Sequence, residues 1–276
     1  MGGVELIPRL GYISGSSFLH RLDPVTKLIA LICGVTLVIF YGGLVFSILF
    51  FITVIILFII SKIDLMTIYK KFRFILTFGL IILISHLIFL RTGDVLIEVR
   101  PFIFAGVQWP LLITTQGILT GLEITFRFFS IITASMLFVA TTDPTKLAYS
   151  VMSAGLPYRY GFMLIVTLRF IPVFDMEASV VQYAQRARGL EIDTKRMGKI
   201  FKLTKYTFVP LLASALSRVN SLTRSMEARG FGLYKKRTYL KQVKPDKVDW
   251  VVGVGAVGLT ITLLFLKYIN IVPILF

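Results

Sequence analysis

Cysteine occurs once in this chain, at Cys33, so no internal disulfide can form. Histidine occurs only as His20 and His86, far apart and without a cysteine cluster, which leaves no basis for a metal site. Charged residues make up 16% of the chain, where a soluble globular domain carries roughly 25%. No G-x-x-x-x-G-K-[ST] stretch is present, so the chain hydrolyses no ATP through a P-loop of its own. From Gly2 to Asp23 no compact apolar core precedes a small-residue cleavage site, and no cleavable signal peptide is expected. One glycine pattern does occur: Gly253-Val254-Gly255-Ala256-Val257-Gly258 spells G-x-G-x-x-G. It follows no strand and lies in an apolar run, which points to close helix packing rather than a dinucleotide site.

What is abundant is apolar. The chain is 56% hydrophobic with 24 phenylalanines, and its mean hydropathy is +0.84. The apolar residues are bunched into uncharged runs, the pattern of an all-α, polytopic membrane protein. The run from Leu28 to Ile60 holds no charge over 33 positions. As one helix it would measure about 50 Å, too long for a hydrocarbon core of about 30 Å. Gly42-Gly43 marks the break, giving spans near 25–41 and 44–60. Further spans are expected at Phe74–Leu90, Gly117–Ala140 and Trp250–Leu266, five in all. The chain therefore divides into 1–140 with four spans, a basic region 141–249, and 250–276 with the last span.

Net charge is +16. The positive-inside bias of a membrane protein accounts for it better than nucleic-acid binding does. The loop after the second span carries Lys62, Lys70, Lys71 and Arg73 against Asp64, and residues 141–249 hold 19 Lys or Arg against 8 Asp or Glu. The loop after the third span is neutral, with Arg91 and Arg100 against Asp94 and Glu98. Five spans with the N-terminus inside put both basic regions in the cytoplasm. In the neutral loop, Val95 to Val99 is strand-like, while the aromatic Phe102–Trp109 stretch suits a segment lying at the membrane interface.

The basic region reads as helical. Asp143-Pro144 starts a short helix that ends near Ser153, before Gly155-Leu156-Pro157. Long helices follow over about Arg159–Arg188 and Lys199–Arg229, each apolar in its first half and polar in its second. Pro172 and Pro210 fall inside them, remove a backbone donor each, and predict kinks.

Both long helices end on the same three residues, Ala187-Arg188-Gly189 and Ala228-Arg229-Gly230. Glycine permits the positive-φ turn that closes a helix, and a cation there is favoured by the helix dipole. Alanine keeps the adjacent surface low. Each arginine offers five donors to carboxylates or carbonyls of an approaching protein. A single such end is an ordinary cap. A matched pair in one cytoplasmic region suggests docking.

This doubled motif resembles the signature of the transmembrane T component of energy-coupling factor (ECF) transporters. Its surroundings are similar too: Leu168-Arg169-Phe170-Ile171-Pro172 before the first copy and Val209-Pro210-Leu211-Leu212 before the second. Leu22-Asp23-Pro24-Val25-Thr26-Lys27-Leu28 and Gly155-Leu156-Pro157 match other landmarks, so the resemblance runs from about residue 16 to residue 250. It implies a non-catalytic, multi-pass subunit of the cell membrane, with no cofactor of its own. Two cytoplasmic ABC ATPases would each receive one Ala-Arg-Gly end, Arg188 in one and Arg229 in the other. A small membrane S component would bind a vitamin or metal ion and pack on the apolar first halves. ATP-driven motion would spread or close the two helices and reorient that subunit. Within the spans, Glu123 and Arg127 are four apart on one helix face, an ion pair or an S-component contact. His86 reads as a polar packing residue. A secondary transporter or channel would want ionisable groups deep in several spans, and an intramembrane enzyme would want a converging Glu–His, Asp–Asp or Ser–Lys set. Neither pattern is present in the sequence.

Overall fold

The computed structural model describes residues 12, 13, 15, 17–61, 65–90, 92–104, 107–189, 197–234 and 245–269. Lys62, Asp64 and Arg91, used above for orientation, lie outside them, as do the basic residues of 190–196 and 235–244. The chain divides into two compact units, a bundle spanning 12–143 with 245–269 and a helical segment within 144–244.

The bundle opens with a single turn, α1 (Phe18–Arg21), and then α2 (Pro24–Tyr41) and α3 (Leu44–Ile60). Asp23 caps α2 by accepting from Val25 N–H at 3.0 Å, and Pro24 occupies the first helical position, where its missing donor costs nothing. Gly42 and Gly43 separate α2 from α3 with φ of 68° and 88°, conformations that favour glycine. The break in the long apolar run therefore falls where the sequence put it. Helix α4 (Leu65–Phe89) begins earlier than its apolar stretch, and α5 (Thr115–Thr141) and a last helix at Lys247–Tyr268 complete the bundle. Three of these, Pro24–Tyr41, Thr115–Thr141 and Lys247–Tyr268, are long and apolar enough to cross a membrane; Leu44–Ile60 and Arg73–Phe89 are shorter apolar stretches. The molecule is thus an all-α, polytopic helical protein with one small exception.

The exception is a hairpin between α4 and α5. Strand β1 (Val95–Phe104) pairs antiparallel with β2 (Val107–Thr114), with Val95 opposite Thr114 and Phe104 opposite Val107. The strand-like reading of Val95 to Val99 holds. Phe102–Phe104 continue β1 and Val107–Trp109 begin β2, so the described part of the Phe102–Trp109 stretch is paired strand rather than a free loop. Pairing lets the two strands satisfy the backbone groups that face each other, which one isolated extended segment cannot do.

Helix α5 is the centre of the bundle, packed on α2, α3 and α4. Its buried face is Gly117, Gly121, Thr125, Ser130, Thr133, Leu137, Ala140 and Thr141. Small residues let neighbouring backbones approach closely, the usual solution where lipid removes the hydrophobic incentive. Gly79 of α4 shows how close: a Cβ there would lie 2.3 Å from the Phe129 ring. Three hydroxyls on this face are satisfied within their own helix, Thr125 Oγ1 to Gly121 O at 2.7 Å, Ser130 Oγ to Phe126 O at 2.8 Å and Thr141 Oγ1 to Leu137 O at 2.8 Å, while that of Thr133 has no partner among the described residues.

Helix directions follow from the end contacts. Lys27 Nζ donates to Thr141 O at 3.0 Å, and Gly43 N–H donates to Glu123 Oε1 at 3.1 Å, so α5 runs antiparallel to α2. Asp23 N–H donates to Asp249 Oδ1 at 2.8 Å near the start of α2. Lys267 Nζ donates to Tyr41 O at 3.0 Å and to Phe40 O at its end. The last helix therefore runs parallel to the first. Thr141, Lys27, Asp23 and Asp249 share one end of the bundle, so the chain departs after α5 and returns after 244 on the same side.

The second unit holds α6 (Pro144–Ser153), α7 (Tyr158–Ala187) and α8 (Met197–Ala228); the last bundle helix is accordingly α9 (Lys247–Tyr268). The bounds are those expected from Asp143-Pro144, Gly155-Leu156-Pro157 and the two Ala-Arg-Gly ends, within two residues. Both helices continue through Pro172 and Pro210. Gly161 meets the Met152 side chain so closely that a Cβ would lie 2.0 Å from its Cγ, which sets α6 against the start of α7.

Candidate functional site

The two Ala-Arg-Gly ends close by local backbone geometry. At the end of α7, Arg188 N–H bonds Ala184 O at 3.3 Å, Gly189 N–H bonds Arg186 O at 2.9 Å, and Gly189 has φ of 81°. At the end of α8, Gly230 N–H bonds Glu227 O at 2.9 Å and Phe231 N–H reaches back to Met226 O at 2.9 Å. With Gly230 at φ of 65°, the second end has the hydrogen bonds of a Schellman turn. Ala187, Arg188, Ala228 and Arg229 are all exposed. Among the described residues, leaving aside each glycine's chain neighbours, nothing lies within 4 Å of a Cβ placed at Gly189 or at Gly230.

Tertiary contacts then separate the ends. Gln185 Nε2 donates to Tyr206 O at 3.3 Å, and Glu177 Oε2 accepts from Ser214 Oγ at 2.9 Å. Glu177 Oε1 also pairs with Arg218 Nη2. Phe231 packs on Tyr158 and Phe162, with ring centroids 5.7 and 4.7 Å away. Positions that rise along α7 meet positions that fall along α8, which makes the two helices an antiparallel pair. Arg229 is consequently level with the first turns of α7, some 26 residues from Arg188, or roughly 39 Å at 1.5 Å per residue. The arginines stand at opposite ends of one double rod.

Each end is moored on the opposing helix. Gln185, three residues before Arg188, holds the start of α8, and Phe231, two residues after Arg229, holds the start of α7. The sequence reading singled out Ala187, Arg188, Gly189, Ala228, Arg229 and Gly230 as docking residues and Pro172 and Pro210 as kinks, and missed these supports. Their signal was faint: Gln185 and Phe231 flank the motifs, while Glu177 and Arg218 are lone charges among mostly uncharged neighbours.

Other sequence features fall into place as scaffold. Arg127 Nη2 lies 2.5 Å from Glu123 Oε1, and the same oxygen accepts from Gly43 N–H, so this ion pair secures the α2–α3 turn. His86 Nδ1 sits 2.9 Å from Ile82 O within its own helix. In the G-x-G-x-x-G stretch, only Gly253 faces a neighbour, Thr26 at 3.6 Å; Gly255 and Gly258 face open space in mid-helix. Among the described residues, no group of three or more His, Cys, Asp and Glu is placed to hold a metal ion.

Apolar helices of spanning length, joined to a basic segment whose two long helices present exposed arginines, define a multi-pass helical membrane protein. The chain belongs to the CbiQ family, described as cobalt transport protein, which it matches over residues 15–240. It is similar to the energy-coupling factor transporter transmembrane protein EcfT of Lacticaseibacillus paracasei, with 30% identity covering 93% of this chain and 97% of the relative. The EcfT proteins of Listeria innocua and Staphylococcus aureus are 31% and 29% identical, covering 84% and 93% of this chain and 88% and 96% of theirs.

Proposed function

We propose that this chain is the T component of an ECF-type importer, a non-catalytic coupling subunit of the cell membrane that links two cytoplasmic ABC ATPases to a substrate-binding S component. The observation that carries this reading is the antiparallel pair of long helices with an exposed Arg188 at one end and an exposed Arg229 at the other. A dimer of ATPases offers two equivalent grooves, and two matched tips roughly 39 Å apart suit such a target. Arginine serves there because its fork can bond carboxylates and carbonyls bidentately while also capping its own helix.

The finer topology is five spans with the N-terminus in the cytoplasm and residues 142–246 remaining on that side. In its favour, α2 and α9 run parallel, and α5 ends where α9 begins. An odd number of crossings between 142 and 246 would reverse α9. Exposed apolar side chains on the second unit, including Tyr160, Met163 and Leu164 of α7 and Phe208, Val209 and Leu212 of α8, suit a face covered by lipid or by the S component. Pro172 and Pro210 would set the direction of the rods by weakening one backbone bond in each. Cargo choice would rest with the S component, a vitamin or metal ion.

Co-expression with the ATPases tests the reading. Replacing Arg188 and Arg229 together by Ala should leave membrane insertion intact while ATPase co-purification falls strongly. Each tip, if a hot spot, contributes about 2 kcal/mol or more. Full assembly by the double variant would sink the assignment.

A further inference from the structure

The helix pair has little apolar core of its own. Gly161 and Gln185 are the buried residues of α7, and none of residues 205–228 of α8 is buried. Apart from the Phe231 ring against Tyr158 and Phe162 at one end, few apolar side chains interlock along the described part of the pair, so packing alone only weakly resists a slide of one turn, a shift of about 5.4 Å. Midway along the pair, however, one carboxylate spans both helices. Glu177, whose side chain is 21% exposed, accepts from Ser214 Oγ with one oxygen and from Arg218 with the other. Ser214 and Arg218 are one turn apart on α8, so a single carboxylate engages two successive turns. Polar groups of this kind set register better than they add stability, because a slipped partner leaves them unpaired.

We propose that Glu177 is a positioning residue that clamps α7 and α8 in one register and so fixes the separation of the arginine tips. The proposal deepens the coupling reading and rests on it for its functional meaning. With the clamp closed, a displacement applied at Arg229 reaches Arg188 as motion of one body. With the clamp open, part of that displacement is spent as slip between the helices. Gln185, bonded to Tyr206 O, marks the register near the Arg188 end but offers one neutral bond.

The test measures register directly, in the complete complex with its ATPases. Thr167 and Lys205 are exposed and offset along the pair by about 19 residues, roughly 28 Å. With Cys33→Ala removing the native thiol, nitroxide labels at Thr167→Cys and Lys205→Cys report their separation by pulsed electron paramagnetic resonance. The native Glu177 should give one narrow distance. Glu177→Ala, which removes both acceptor oxygens, should add a second population displaced by about 5 Å, the rise of one turn. Glu177→Arg combined with Arg218→Glu should restore the single distance, since Ser214 can accept from the new arginine. An unchanged distribution in Glu177→Ala, two populations with native Glu177, or a swap that fails to restore the single distance would overturn the clamp. ATPase co-purification measured alongside separates the two ideas: the tip variants lose it if the coupling reading is right, whereas Glu177→Ala should keep it.

Discussion

Asp249→Ala is the most informative single substitution in the bundle. Asp249 is 6% exposed and sits at the start of α9, where its two oxygens accept the Asp23 and Asp246 N–H groups, each at 2.8 Å. One bond completes the capping box of α9, and the other ties α9 to the start of α2. Helix α9 has only one other buried residue, Thr260, so little apolar packing stands behind that tie. Hydrogen bonds to a charged acceptor contribute about 1.5–3 kcal/mol each, and the alanine variant leaves two donors unpaired. A total near 3 kcal/mol is a fair expectation after discounting for water reaching the exposed Asp246. At about 2–4 °C per kcal/mol for a chain of this size, the melting temperature in detergent should drop by about 8 °C. Asp249→Asn retains one acceptor oxygen and should lose roughly half as much. A melting temperature within 1 °C of the native protein for Asp249→Ala would show, at about that sensitivity, that the tie contributes nothing.

Two glycines on different faces should respond oppositely. Gly79→Ala drives a methyl toward the Phe129 ring and should cost about 1–3 kcal/mol, visible as lower thermal stability, whereas Gly255→Ala meets open space and should be neutral or slightly stabilising. At the helix ends, Gly189→Ala and Gly230→Ala strain positive-φ turns by about 1 kcal/mol each, and ATPase pull-down should weaken without loss of the folded bundle. Phe231→Ala removes the ring that packs on Tyr158 and Phe162, so protease cleavage after Arg229 should accelerate while cleavage after Arg188 stays unchanged.

Helix bounds were legible because helices start and stop by local chemistry. Asp23-Pro24, Gly42-Gly43, Gly155-Leu156-Pro157 and the glycines after Arg188 and Arg229 each act within a turn of themselves, and the observed elements end on or beside them. The hairpin at 95–114 was half legible. Alternation marks an extended strand, but pairing depends on a partner several residues away, which no local pattern at Val95 to Val99 could name. In the G-x-G-x-x-G stretch, composition indicated helix packing, yet which glycine packs was decided by the position of Thr26 on another helix.

The residues by themselves determined that this chain is a polytopic membrane protein with two arginine-tipped helices, because hydropathy, caps and terminal glycines are read over a few neighbouring positions. Only the tertiary structure decided that the tips point to opposite ends of one antiparallel pair, and that α9 lies parallel to α2. Those facts rest on contacts such as Glu177 with Arg218 and Asp23 with Asp249, the second pair 226 residues apart in the chain. Distance along the chain carries no direction in space, and register exists only once two helices have met.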